Sequence, residues 1–372
     1  MKRVSFRKPF VKSSSIRVKP MQRSIILFQS AIKSEKTEKL YLRHLDKFRE
    51  YFIIKNCDSL ISIDSKKLQT MIEDFVLYQR KQNLAYGSIN SQVCALELFF
   101  SMSDVILNWK KIKKMLPERK KALGDKPYTT EQIRIILKHT SNLKFRAIVS
   151  FMASSGVRAG SFEEMRIKDL KNYKDGCKSV KVYADSRQEY YTFIHQEAII
   201  ALEEYFEYRR KKGEKITSDS WVFITSSNPE KPVNTHCIVS SLNQIVNKAL
   251  DRKRTENRFE TMTSHGFRKR FATVLKSNAT INLSISEKLL GHSTTVRLDN
   301  HYFKPELDQL YDEYKKAIPD LVIDQSMKLK LELEKKDNQL SSLEVKDRRI
   351  EQLENVISRL EINVNMLNSK IS

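Results

Sequence analysis

The chain has 372 residues, with 68 Lys and Arg against 45 Asp and Glu, a formal net charge of +23. A surplus of that size points to a nucleic-acid partner whose phosphates it neutralises. No run approaches the roughly 18 apolar residues of a membrane span, and Cys57, Cys94, Cys177 and Cys237 form no paired metal motif, so a soluble, cytoplasmic protein with reduced thiols is expected.

Residues 1–34 hold nine basic residues, Lys2, Arg3, Arg7, Lys8, Lys12, Arg17, Lys19, Arg23 and Lys33, and no Asp or Glu. This serine-rich stretch reads as a flexible basic arm able to lie along a groove. Its only apolar run, Ile25 to Phe28, is too short for the core of a secretion signal. Residues 35–115 read as a small helical domain, with apolar residues at helical spacing over 36–54, 65–82 and 88–101. Tyr41, Leu45, Phe48 and Phe52 supply a core stripe, and Tyr86-Gly87-Ser88 a turn with a cap. The basic stretch 116–127 reads as a linker, where lysines add salt-dependent affinity for a phosphate backbone.

The next section, 128–318, opens with a capped helix start at Tyr128-Thr129-Thr130-Glu131-Gln132 and is expected to be mostly helical. An apolar helix-like run from Ile148 ends at Gly156, and Arg158 follows directly. Residues 179–194 form the expected β-hairpin, two alternating strands around a polar turn. In Thr263-Ser264-His265-Gly266-Phe267-Arg268, either hydroxyl can cap a helix whose first turn carries His265 and Arg268 on one face. His292 follows Leu290-Gly291, Tyr302 lies ten residues on, and 305–317 predict a last helix with Leu307, Leu310, Tyr311 and Tyr314 on its apolar side.

From Met327 the pattern changes. Leu329, Leu333, Lys336, Leu340, Leu343, Asp347 and Ile350 alternate by four and three, and Leu353, Ile357, Leu360, Val364, Leu367 and Ile371 resume the alternation after a three-residue slip. This is a heptad seam with a phase break, firmer in its second half, and predicts a self-associating coiled coil within 319–372.

Each polar residue taken singly has an ordinary structural explanation: an ion pair, a helix cap, a packed ring. The ordered set Arg158, His265, Arg268, His292 and Tyr302 is different, because two arginines, two histidines and a tyrosine together suit a phosphodiester. A pentacoordinate phosphorus gains negative charge, which two planar guanidiniums can bind in fork geometry. Imidazoles can bind the phosphate or help deprotonate a phenol of pKa about 10.

The strings Ser155-Gly156-Val157-Arg158-Ala159-Gly160-Ser161, His265-Gly266-Phe267-Arg268-Lys269, Leu290-Gly291-His292 and His301-Tyr302-Phe303-Lys304-Pro305-Glu306 resemble, in order, the catalytic motifs of tyrosine recombinases of the phage-integrase family, with wording similar to archaeal integrases. The resemblance covers about half the chain, from Pro127 to Ile318. It implies a mainly α protein: a helical core-binding domain (35–115) that closes over double-stranded DNA and a mixed but mostly helical catalytic domain (128–318) with a small β-hairpin; the heptad spacing adds the coiled coil. It implies a site-specific DNA recombinase that cuts through a 3′-phosphotyrosine on Tyr302, with Arg158 and Arg268 on the scissile phosphate and His265 and His292 assisting. Neither metal, ATP nor any other cofactor is expected, since the covalent intermediate conserves the bond.

A tetramer on recombining DNA is implied, with the 305–317 helix docking on a neighbouring protomer, and a nucleoid-associated location. Relatives carry a lysine on the hairpin as general acid; here Arg187 stands in the turn, and Lys181 is the only lysine within the two strands as read. Arginine holds its proton too tightly to donate it, so Lys181 is assigned the role. Ser161 replaces an acidic residue frequent in relatives, leaving Glu163, Glu164 and Asp169 as candidates to orient Arg158. The rival readings are a type IB topoisomerase and a DNA-binding protein that has lost the reaction.

Overall fold

The computed structural model describes residues 23–119, 126–254, 259–292 and 303–371. The chain divides into two compact units, Met1–Ala122 and Leu123–Ser372.

The first unit packs six helices around one apolar core: α1 (Arg23–Ser30), α2 (Glu35–Tyr51), α3 (Cys57–Ile61), α4 (Ser65–Lys81), α5 (Tyr86–Met102) and α6 (Trp109–Lys114). Leu45 and Phe48 of the expected stripe are buried, and Tyr41 and Phe52 pack against them from the edge. Phe48 meets Phe75 edge-on at 5.2 Å between ring centres, a geometry that suits the ring quadrupoles. Asp64 caps α4 by accepting from the Lys66 and Lys67 amides at 3.0 and 3.3 Å.

Two expectations change here. Residues 23–30, assigned to the flexible arm, form α1, and Phe28 is fully buried, 5.6 Å from Phe99. A short apolar run in a basic segment still gains by burying one large ring. Helix α5 begins at Tyr86 with Ala85 at its cap position, so Ser88 lies inside the helix rather than capping it. The rest of the arm, 1–22, lies outside the described residues.

The second unit starts with α7 (Thr130–Lys138), whose N-terminus carries the expected capping box between Thr129 and Gln132. Helix α8 (Leu143–Ser155) is buried along every residue from Ala147 to Ser155, which explains its unbroken apolar run. It packs on α9 (Gln196–Lys211) and α11 (Thr263–Ser277). Between α8 and α9 lies an antiparallel sheet of β1 (Leu170–Asn172), β2 (Lys178–Val182) and β3 (Tyr190–Ile194), in that order, with Lys181 opposite Tyr191. The hairpin therefore has a third strand, too short to show a period. Lys178 also lies in β2, so Lys181 is not the only lysine of the pair.

Helices α10 (Thr235–Ala249), α12 (Leu283–Leu289) and α13 (Leu307–Leu321) complete the unit, and α14 (Gln325–Ile371) extends from it. The apolar side of α13 is occupied within its own chain: Leu310, Tyr311 and Tyr314 are buried against Phe193, Phe271 and Leu275. The Tyr314 hydroxyl donates to the Ser154 carbonyl at 3.1 Å. Among the described residues no helix is long and apolar enough to cross a membrane.

Candidate active site

Arg158 owes its position to Gly156. Helix α8 ends there in the left-handed conformation, φ +64°, with the Gly156 amide bonded to the Met152 carbonyl at 2.9 Å. A side chain at Gly156 would enter the Phe271 ring, so glycine serves both the turn and the close approach. The chain then turns through a short 3₁₀ segment, Ala159–Glu163. Ser161 bonds the Arg158 carbonyl at 2.7 Å through its hydroxyl and so fixes the backbone rather than the guanidinium.

His265 and Arg268 stand one turn apart at the start of α11. The expected Thr263 or Ser264 cap is absent: Met262 holds the cap position. The Thr263 hydroxyl instead donates to Asn243 and accepts from Arg252. Gly266 lets the helix press against the Tyr128 ring, which a Cβ would approach to 2.6 Å.

Arg268 is buried, and its two terminal nitrogens donate to the carbonyls of Gly156, at 2.8 Å, and Leu290. One guanidinium thereby joins the ends of α8 and α12. Burial lowers its pKa, and the charge of Arg158 acts in the same direction, while Tyr190 opposes both. The buried Tyr190 hydroxyl is itself pushed up by desolvation and held back by Arg268 and Arg158.

His292 is delivered by the C-terminus of α12. Gly291 takes φ +60°. The amides of Gly291 and His292 bond the carbonyls of Lys288 and Glu287 at 2.9 and 3.0 Å, the paired bonds of a Schellman ending. A side chain at Gly291 would strike the Tyr190 ring. The His292 Nδ1 contacts Glu287 Oε2 at 2.8 Å, which orients the ring. Burial lowers the His292 pKa, the Glu287 carboxylate raises it, and Arg268 and Arg158 lower it again. Burial works to raise the Glu287 pKa, yet Lys276 and His292 together hold it below the usual value.

Arg158, His265 and Arg268 line one pocket with Val157, Ala159, Gly160, Thr235, Val239 and Ser264. His292 lies within electrostatic reach of both arginines. Of the three candidate orienting acids, Glu163 accepts from the amide of Thr235 at the pocket wall at 2.6 Å, Asp169 accepts from the Arg166 amide at 2.8 Å, and Glu164 is exposed. Lys181 is not among the lining residues. It is ion-paired with Glu189 at 3.1 Å and Asp185 at 3.4 Å, chiefly Glu189 raising its pKa. Arg187 is exposed in the turn. Tyr302 lies outside the described residues.

The sequence reading missed three participants. The Thr235 hydroxyl is buried at the pocket wall without a hydrogen-bond partner among the described residues. Glu287 holds His292, and Tyr190 packs between Gly291 and Arg268. Only Glu287 left a trace in the sequence, since a carboxylate five residues before a histidine across a Gly turn can reach back to it.

This mostly helical fold around a three-stranded sheet, with Arg158, His265 and Arg268 on one pocket and His292 within electrostatic reach of both arginines, is that of the tyrosine recombinases. Residues 126–307 match the phage integrase family, and this stretch is a domain of that family. It is 27% identical over 179 residues to the tyrosine recombinase XerC of Leptospira interrogans serogroup Icterohaemorrhagiae, in serovars copenhageni and Lai alike. That match covers 48% of this chain and 52% of the relative, so the chain spans about half the length of the curated relatives it matches. Among solved structures, the Tn1549 transposon integrase in complex with a circular intermediate DNA superimposes with a TM-score of 0.55 at 17% identity, over 80% of this chain and 98% of that one. The same integrase with transposon right end DNA gives 0.53 at 14% identity, over 80% and 98%. These likenesses define the fold.

Proposed function

We propose that the protein is a site-specific DNA recombinase that cleaves and rejoins double-stranded DNA through a 3′-phosphotyrosine on Tyr302. The observation that carries this reading is the pair Arg158 and Arg268: two cations that line one pocket with His265, close enough for the charge of Arg158 to lower the Arg268 pKa. Holding like charges together costs free energy, which an anion bound between them would offset.

In the proposed reaction the scissile phosphate bridges the two guanidiniums, and the Thr235 hydroxyl donates to a phosphate oxygen. His265 and His292 bind the same group and assist the proton leaving the phenol. Preorganised donors of this kind stabilise the charge that develops on phosphorus. The phenolic oxygen attacks phosphorus, the DNA 5′ oxygen leaves with a proton from Lys181, and a free 5′ hydroxyl later reverses the step. The first unit is assigned to clamp the duplex, and four protomers to act on two recombining duplexes. The Tn1549 integrase, of the same fold, was solved on DNA.

One observation favours a second reading, a DNA-binding protein without chemistry: Lys181 is engaged by two carboxylates. Binding DNA is expected to draw the lysine off them. A nicked suicide substrate separates the readings. The wild type should form a covalent protein–DNA adduct and Tyr302→Phe should bind the same DNA without one. A wild type that binds but forms no adduct would favour the second reading.

A further inference from the structure

The long helix α14 is not used by the site. It runs 47 residues, and Ile350, Leu353, Ile357 and Leu360 along it are 50–57% exposed. Large aliphatic side chains half open to water leave this stretch of the helix's apolar face without a partner among the described residues. Helical stability in water comes mostly from packing such a face. An occupant is therefore required, and the sequence of the helix specifies which.

We infer that residues 350–371 pair two copies of this chain as a parallel, two-stranded coiled coil. If Ile350 is heptad position a, then Ile357, Val364 and Ile371 are also a, and Leu353, Leu360 and Leu367 are d. Every a residue is β-branched and every d residue is leucine, over three heptads without interruption. That division favours two parallel strands, because a β-branched side chain at a and an unbranched-β leucine at d fit the packing angles of a dimer, whereas other distributions favour trimers and tetramers.

The flanking charges select orientation. Position g carries Arg349 and the following e carries Glu354. In a parallel pair, g of one helix faces the next e of the other, so Arg349 meets the partner's Glu354 twice by symmetry. An antiparallel pair instead brings e beside e, setting Glu354 against the partner's Glu361. Val356, 51% exposed at the next g, widens the apolar seam. Upstream, the register that runs through Leu340 and Leu343 carries Lys336 and Asp347 at core positions, so pairing begins near Arg349. This inference stands on α14 alone and holds whether or not the proposed reaction is correct.

The test uses the full-length protein without DNA. Light scattering after gel filtration should give about twice the 43.6 kDa chain mass. The double variant Leu353→Asp with Ile357→Asp should elute as a monomer, while its thermal unfolding, dominated by the two compact units, stays at the wild-type temperature. Position d faces its own copy in a parallel pair, so Leu360→Cys should give a disulfide-linked dimer under mild oxidation beyond any formed by the wild type. Arg349→Glu should weaken the dimer and Arg349→Glu with Glu354→Arg should restore it. A wild-type monomer, a trimer or tetramer, a dimer that survives the double variant, or a Leu360→Cys dimer that fails to cross-link would each overturn the inference.

Discussion

His195, which joins β3 to α9, gives the clearest test of how the second unit holds together. It is buried, and neither ring nitrogen has a hydrogen-bond partner among the described residues. Desolvation pushes its pKa down to about 3, with the charge of Arg270 acting in the same direction. In the unfolded chain the same imidazole titrates near about 6.5. Between these values the unfolded state binds a proton that the folded state refuses. The stability tied to His195 is thus complete above about pH 6.5 and is lost as the pH falls towards 3.

From pH 7 to pH 5 this single group should cost about 2 kcal/mol, from RT times the logarithm of the ratio of unfolded-state binding polynomials. Urea unfolding of the wild type and of His195→Leu at both pH values isolates the effect. The wild type should lose about 2 kcal/mol more than the variant between pH 7 and pH 5. If the two proteins lose the same amount to within about 0.5 kcal/mol, the ring is either protonated in the fold or reached by water, and the reasoning fails.

The two arginines should separate stability from chemistry. Arg158→Ala should keep wild-type stability to within about 0.5 kcal/mol yet slow adduct formation about 10²–10³-fold, the usual loss of one preorganised charge donor. Arg268→Ala strips two carbonyls of their donor and should in addition destabilise the fold by about 2–6 kcal/mol, at about 1–3 kcal/mol for each; both are read by thermal unfolding beside a suicide-substrate assay. Gly291→Ala places a Cβ in the left-handed region and against Tyr190, and should cost about 2–4 kcal/mol, measured by urea unfolding. Glu287→Gln removes the carboxylate that raises the His292 pKa, so the imidazole should titrate at lower pH than in the wild type, followed by its ring proton resonances in NMR.

Much of this was legible in the sequence because glycine and capping residues leave local signatures. Thr129 with Gln132 announced α7, and Gly156 before Arg158 announced both the end of α8 and the arginine beyond it. The unbroken apolar run of α8 gave the central helix, buried on every side. What escaped notice depends on tertiary context. Strand β1 has three residues, too few for alternation, and exists through its pairing with β2. Helix α1 is stabilised by one ring, Phe28, inserted among residues from α5. Ser88 and Thr263 looked like caps because their side chains can bond backbone amides, but Ser88 falls inside α5 and Thr263 is claimed by Asn243 and Arg252. For the site, side-chain type and order identified the arginines and histidines, while Thr235 and Tyr190 are brought in by the fold from positions with no motif.

On the proposed function, the double attachment of Arg268 to the ends of α8 and α12 bears on how such a gene decays once selection for cutting is relaxed. A lineage that loses Arg158 keeps a sound scaffold and can persist as a protein that merely occupies DNA. A lineage that loses Arg268 forfeits the scaffold along with the reaction and is cleared by proteolysis. Silenced descendants should therefore retain the second arginine more often than the first.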